Sequence, residues 1–191
     1  MSLCRLQFRG GGELNLFTCA AEPAEDLEKL GKCQYLNAVI NETLRLHPPV
    51  MSGLQRVTPP EGMVINSKHV PGNTVVTIPT YTLHRDERNF SSPNSFMPER
   101  WIDAKSVENH NVKAFNPFSY GPTGCVGKQL ALMEMRSVIA SFSQLFQSKF
   151  APDFNAGGWP EKNLVDTFTV CKKEPIRVVL SMRPDRLRKG A

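Results

Sequence analysis

The sequence predicts a mainly α-helical fold with small β-sheets. Two segments place apolar side chains at helical spacing, one near residues 35–46 and one that starts around Cys125 and continues to about Phe150. Short β-branched runs lie between turn-forming residues. The two helices are separated by a segment rich in Pro, Asn and Ser, from His84 to about Pro117, and so long a loop in a compact domain is usually functional.

The first helix follows an acidic turn that Pro23 is predicted to open. Leu36, Val39 and Ile40 fall on one face of this helix. We expect it to end at His47, because the following Pro48 lacks a backbone N–H and disfavours helical geometry in the residue before it.

Strands are predicted at Met63–Ile65 and Thr74–Ile78, which are β-branched and bounded by turn residues. Near the C-terminus, Phe168–Val170 and Ile176–Leu180 are predicted to pair as a hairpin around Lys172–Pro175. The sheets should therefore be small and built from short neighbouring segments.

The second helix has the strongest apolar stripe in the chain. Its apolar residues recur at steps of three and four: Leu132, Met135, Ile139, Phe142 and Phe146. Because nearly every turn contributes one, we predict that this helix is central to the fold.

Composition and charge exclude several classes of protein. The 191 residues carry a net charge of +5, part of it in a basic tail at 185–191 that we interpret as solvated. The sequence has no stripe of basic residues interleaved with aromatic residues, which is the pattern that favours nucleic-acid binding. The longest apolar run is about four residues, whereas a membrane span needs roughly 20. Residues 1–21 lack the pattern of a signal peptide and receive no structural assignment.

Cys125 is the residue whose position points most directly to chemistry. The five cysteines form no C-x-x-C pair, which disfavours a zinc site or a disulfide framework. Cys125 lies at the predicted helix start, where an anion is stabilised and the thiolate form is favoured. Gly121, Gly124 and Gly127 would leave room for a flat cofactor. A buried structural cysteine among turn glycines is the alternative interpretation.

Three motifs together resemble the cytochrome P450 haem-thiolate monooxygenases. The E-x-x-R motif is Glu42–Arg45 and the P-E-R-W motif is Pro98–Trp101. The specific cysteine loop, F-x-x-G-x-[R/H]-x-C-x-G, spans Phe118–Gly127, with Thr123 in place of Arg or His. The resemblance covers residues 22–184, which we interpret as a partial domain, the C-terminal, proximal half of the family fold.

The resemblance implies that Cys125 is the proximal thiolate ligand of haem iron and that Phe118 lies beside the haem and shields the sulfur. Backbone N–H groups of Gly121, Gly124 and Gly127 are expected to line the sulfur and tune the iron.

Four further residues receive roles from the same resemblance. Arg56 is expected to pair with a haem propionate, and more so because Thr123 supplies no charge. Glu42, Arg45 and Arg100 are expected to form a buried salt-bridged network. Without the resemblance, an i, i+3 pair such as Glu42 and Arg45 is usually exposed and contributes about 0.2–0.5 kcal/mol.

The implied cofactor is haem b (iron protoporphyrin IX), with electrons from NADPH through a reductase and a small organic or lipophilic substrate. The family's usual location is the cytosolic face of the endoplasmic-reticulum membrane, and no residue of this chain is assigned a catalytic role. Two other interpretations stay open. One is a truncated, non-catalytic haem-binding remnant; the other is a cysteine-nucleophile enzyme, which needs His84 or His110 within hydrogen-bond reach of Cys125.

Overall fold

The computed structural model describes residues 13–14, 26–103, 107–154, 165–166, 171–172 and 175–183. The helices are α1 (Leu27–Lys32), α2 (Gln34–Leu46), α3 (Thr80–His84) and α4 (Lys128–Leu145). The strands are β1 (Glu13–Leu14), β2 (Arg56–Val57), β3 (Met63–Ile65), β4 (Lys68–Val70), β5 (Val75–Val76), β6 (Phe146–Phe150), β7 (Val165–Asp166), β8 (Cys171–Lys172) and β9 (Val178–Met182). Helices with small sheets are the class that the sequence predicts. The predicted basic tail at 185–191 lies outside the described residues.

Helix α2 has the limits predicted from its apolar stripe. It ends at Leu46, and the N–H of His47 closes the last turn on the Thr43 carbonyl at 2.8 Å. The acidic turn predicted before it is instead helix α1, because the Asp26 side chain accepts a hydrogen bond from the Lys29 N–H at 3.0 Å and caps the helix.

The apolar core lies where α1, α2 and α4 meet. Its buried members are Leu30, Leu36, Ile40, Leu44 and Ala140. Phe115 and Phe118, from the segment before α4, pack against the same cluster. This contact attaches the loop that contains Cys125 to the apolar core.

Two small antiparallel ribbons follow α2. Strands β3 and β4 form a hairpin whose two turn residues, Asn66 and Ser67, both have positive φ (49° and 63°), as a type I′ turn requires. The strand predicted at Thr74–Ile78 is limited to β5, which pairs with β2. The β2–β5 pairing matters for the site because it fixes the backbone of Arg56.

The predicted C-terminal end of the second helix is wrong. Helix α4 stops at Leu145, and β6 pairs with β9 over five residues. The sequence Phe-Gln-Ser-Lys-Phe of β6 alternates half-buried and exposed side chains, so it fits a two-residue period as well as a helical one. Pairing with β9 selects the strand.

The predicted C-terminal hairpin is wrong in its turn, whereas its first strand lies outside the described residues. Strand β9 pairs with β6, whereas Cys171–Lys172 pairs with Val165–Asp166. Lys172, predicted in the turn, is therefore a strand residue, and residues 168–170 lie outside the described part of the chain.

Helix α4 is not central among the described residues, contrary to the prediction. Only Ala140 and Ser143 are buried on it, while Leu130 and Val138 are 60% and 66% exposed. The reason is that α1 and α2 cover one side of the helix only. Within the described residues, no helix combines the length and apolar character that a membrane crossing requires.

Candidate functional site

The cysteine loop (residues 118–127) presents Cys125 three residues before the first residue of α4, Lys128, so the helix starts slightly later than predicted. The Cys125 N–H donates to the Phe118 carbonyl at 2.8 Å and closes the loop. The Cys125 carbonyl then accepts from the Lys128 N–H at 3.3 Å, in the first turn of α4. The residue is exposed and its thiol is free of a disulfide, so the sulfur is accessible to a ligand.

Two glycines keep the cysteine loop free of side chains, and one of them lies next to the sulfur. Gly121 has a φ of +69°, and a Cβ added there would meet nothing within 4 Å. At Gly127, an added Cβ would lie 3.8 Å from Cys125 Sγ. The donor atom is a soft thiol, which suits iron of the haem type. The loop therefore fits a flat, thiolate-ligated cofactor.

Phe118 and Ser119 anchor the loop at its start. Phe118 packs on the apolar core, with the ammonium of Lys128 6.0 Å from its ring centroid. Ser119 has a φ of +62°, in the left-handed region that costs a non-glycine residue about 1–2 kcal/mol. Its N–H donates to the Asn116 carbonyl at 3.0 Å, which helps to hold this conformation.

Arg56 reaches the cysteine loop from β2. Its Nη2 donates to Thr123 Oγ1 at 2.8 Å and approaches Ser119 Oγ at 3.4 Å. The structure thus places the Arg56 guanidinium beside residue 123, the position at which the family motif has Arg or His. The loop has a guanidinium beside it although residue 123 is uncharged.

The buried ion cluster consists of Glu42, Arg45 and Arg100, all with no exposed surface. Arg45 donates to both Glu42 oxygens, Nη2 to Oε1 at 2.8 Å and Nε to Oε2 at 2.9 Å. Arg100 Nε donates to Glu42 Oε1 at 3.2 Å. Through one shared carboxylate, the structure therefore brings Arg100 to a pair on α2, although Arg100 lies 58 positions from Glu42 in the sequence.

One carboxylate does not balance two guanidiniums, and backbone carbonyls supply the remaining stabilisation. Arg45 Nη1 donates to the carbonyls of His84 and Pro93 at 2.9 and 2.6 Å. Arg100 Nη1 donates to the Ser91 carbonyl at 3.0 Å. These acceptors are the last residue of α3 and residues of the irregular segment that follows it, so the cluster determines how residues 84–95 fold over α2.

The electrostatics of Glu42 follow from its hydrogen bonds. Burial alone would raise the pKa of its carboxyl, but donors from Arg45, the Met97 N–H and Trp101 outweigh that effect and lower the pKa below its ordinary value. Glu42 is therefore held as the anion that the two guanidiniums require.

Trp101 and His84 belong to the cluster's surroundings, and the sequence does not reveal their roles. Trp101 Nε1 donates to Glu42 Oε2 at 2.9 Å. His84 is fully buried, with one ring nitrogen 3.2 Å from the Arg45 carbonyl and the other accepting from the Asn116 N–H at 3.1 Å. The P-E-R-W motif could have drawn attention to Trp101, although not to its contact with Glu42. We find no sequence signal for the contacts of His84.

Neither histidine serves as a base for Cys125 within the described residues. Both ring nitrogens of His84 are engaged by Arg45 and Asn116. His110 packs against Trp101, with ring centroids 4.8 Å apart, and its buried Nδ1 makes no hydrogen bond. The cysteine-nucleophile interpretation therefore lacks the contact on which it depends.

Comparison with known proteins identifies the family. Residues 22–171, which include the ion cluster and the cysteine loop, match the family model described as Cytochrome P450. The chain belongs to the cytochrome P450 family. Membership confirms the resemblance seen in the motifs.

The relatives of this P450 chain include fungal enzymes. Cytochrome P450 monooxygenase phqL of Penicillium fellutanum is 51% identical over 133 residues, which are 70% of this chain and 23% of the relative. Cytochrome P450 monooxygenase nodW of Hypoxylon pulicicidum is 50% identical over 118 residues, 62% of this chain and 22% of the relative. Cytochrome P450 67 of Uromyces fabae is 37% identical over 177 residues, 88% of this chain and 32% of the relative. The chain thus spans between about a fifth and a third of the length of these relatives.

Proposed function

We propose that the chain is the haem-ligand portion of a cytochrome P450 monooxygenase, with Cys125 as the ligand of haem iron. The observation that carries the proposal is the exposed, disulfide-free Cys125 thiol just before α4, on a glycine loop inside the family match. When bound, haem b would supply oxygen activation, with thiolate ligation favouring O–O cleavage.

The chain's own residues would bind and orient that cofactor. Arg56, hydrogen-bonded to Thr123, would hold a haem propionate. Phe118 would cover the sulfur side from its position on the core. The Gly124 N–H donates to the Gly121 carbonyl at 3.0 Å, so the backbone N–H groups of Gly121 and Gly127 are the ones that would tune the ligand. The ion cluster would keep the irregular segment folded against α2, beneath the cysteine loop.

The partners follow from the family and belong to the same proposal. A reductase would deliver electrons from NADPH, and the substrate would be a small organic or lipophilic molecule that gains one oxygen atom from O2. The cytosolic face of the endoplasmic-reticulum membrane is the corresponding location. Coupled product formation with a reductase and NADPH separates an active enzyme from the runner-up, a non-catalytic haem-binding remnant.

The absorption spectrum of the reduced carbonyl complex tests the ligand assignment. We expect the wild-type chain with haem to give the red-shifted Soret band of a thiolate complex, and Cys125→Ala to lose it. Cys33→Ala is the control, since Cys33 is the other described free cysteine and is half-buried against the core. Retention of the band in Cys125→Ala would refute the assignment.

A further inference from the structure

We propose that His84 is a positioning residue that couples the buried ion cluster to the cysteine loop through hydrogen bonds at both ring nitrogens. The meaning of this coupling for ligand placement rests on the proposed role of Cys125. The coupling itself concerns only side chains and backbone groups of this chain, so it is measurable without a cofactor.

The first half of the connection satisfies an unpaired carbonyl of α2. In a continuing helix, the Arg45 carbonyl would accept from the residue four positions on, but that residue is Pro49, which has no N–H. His84 Nδ1 lies 3.2 Å from this carbonyl. Because a carbonyl only accepts, Nδ1 carries the proton.

The second half of the connection requires the other nitrogen to be unprotonated. The backbone N–H of Asn116 donates to His84 Nε2 at 3.1 Å. The Asn116 side chain places Oδ1 at 3.2 Å from the same nitrogen. Because an unprotonated Nε2 repels an oxygen and attracts a donor, we assign this amide in the flipped orientation, with its NH2 group toward the ring. His84 is therefore held as one neutral tautomer, with the proton on Nδ1.

Asn116 passes this constraint directly to the cysteine loop. Its carbonyl accepts from the Ser119 N–H at 3.0 Å, and the neighbouring Phe118 carbonyl accepts from the Cys125 N–H at 2.8 Å. One hydrogen bond thus connects Ser119 to Asn116, the residue that His84 holds. A second, through the adjacent Phe118, connects Cys125.

His84 is also tied to the ion cluster a second time. Arg45 Nη1 donates to the His84 backbone carbonyl at 2.9 Å, while the Arg45 carbonyl meets the His84 ring. The ring itself is fully buried beside Phe115 and Phe90, with centroids 5.4 and 6.4 Å away. Packing would be satisfied by a phenyl ring; the two directional hydrogen bonds require histidine.

Amide hydrogen exchange in the 191-residue chain tests the coupling. His84→Asn keeps a donor near the Nδ1 position and loses the acceptor for Asn116, whereas His84→Gln keeps a group near Nε2. We expect exchange at Ser119 and Cys125 to become about five- to tenfold faster in His84→Asn, and His84→Gln to restore part of the protection. The Thr58 amide, bonded to the Thr74 carbonyl at 3.0 Å in the β2–β5 ribbon, should change less than about twofold.

The matched control is His110→Asn, which alters a half-buried histidine of the same aromatic cluster whose Nδ1 has no hydrogen bond. It should leave all three amides unchanged. Equal acceleration at Ser119, Cys125 and Thr58 in His84→Asn would show a general loss of stability and overturn the proposal, as would no acceleration at all.

A second measurement needs no variant and covers the case in which His84→Asn does not fold. The nitrogen spectrum of the wild-type chain should show His84 protonated at Nδ1, with a coupling across the hydrogen bond from the Asn116 N–H to Nε2. A proton on Nε2 would overturn the proposal. Failure of the wild-type chain to form a thiolate complex with haem, with the coupling present, would instead refute only the function proposed above.

Discussion

The buried ion cluster and the outer side of α4 differ in how their side chains are covered. In the cluster, Glu42, Arg45 and Arg100 have no exposed surface, and each is hydrogen-bonded to another member and to backbone groups. On α4, Leu130 and Val138 are apolar and more than half exposed. The charged residues are therefore inside, and many of the apolar residues of the longest helix lie at the surface.

The difference shows which contacts stabilise this chain. The partners of the cluster come from α2, from the last residue of α3 and from the segment that follows α3, all within the described residues. The outer side of α4 has no such partner among them, so its apolar residues contribute little burial free energy here. Substitutions in the two regions should differ accordingly.

The largest effect is expected for Glu42→Ala. The change leaves two buried guanidiniums without their shared carboxylate, and removal of one member of a buried ion pair costs about 3–5 kcal/mol. Urea unfolding of the chain measures the loss. Glu28→Ala is the control. The ion pair between Glu28 and Lys32 is largely exposed, so its loss should cost only about 0.3–0.5 kcal/mol.

A double-mutant cycle sharpens the same comparison. Glu42→Ala and Arg100→Ala should be non-additive by more than about 1 kcal/mol, since each change strands the partner that the other removes. Additive losses would mean that the two residues stabilise the fold independently and would contradict a coupled cluster.

The next effect is a pH dependence that arises at His84. Burial lowers the pKa of His84 from 6.5 to about 4, and the nearby charges of Arg45 and Arg85 act in the same direction. Between those two pH values the unfolded chain binds a proton that the folded chain does not, so the free energy of unfolding falls as the pH falls. The total is on the order of 3 kcal/mol, fully retained above about pH 6.5.

The pH effect is isolated by comparison with His84→Asn, which has no such titration. The difference in unfolding free energy between wild type and variant should shrink as the pH is lowered from 7 to 4. A difference that is constant over this range would contradict a neutral, buried His84.

The smallest effect is expected on the outer side of α4. Val138→Ser removes an apolar side chain that is 66% exposed, so the loss of stability should be below about 0.5 kcal/mol. Ile40→Ala, in the core at 2% exposure, should cost about 2–5 kcal/mol. A loss of 1 kcal/mol or more at Val138 would show that this side of the helix is covered in solution.

Several features of the fold are predictable from local sequence. The limits of α2 follow from its apolar stripe and from Pro48, and strand β3 follows from its β-branched residues and the turn residues after it. Its partner, β4, is not among the predicted strands. The end of α4 is not predictable in this way, because Phe146–Phe150 fits both periods and only its pairing with β9 decides between them. The burial of Glu42 and Arg45 is likewise hidden, since an i, i+3 pair has the same spacing on an exposed face.

The sequence by itself determined the family, the position of Cys125 before a helix, and the spacing of the E-x-x-R motif, because these depend on residues close together in the chain. Only the tertiary structure decided that Arg56 meets Thr123, 67 positions away, and that His84 bridges Arg45 and Asn116. Such contacts form between segments that are brought together by packing. A buried donor or acceptor must then find whichever partner the fold places beside it, and local sequence does not specify that partner.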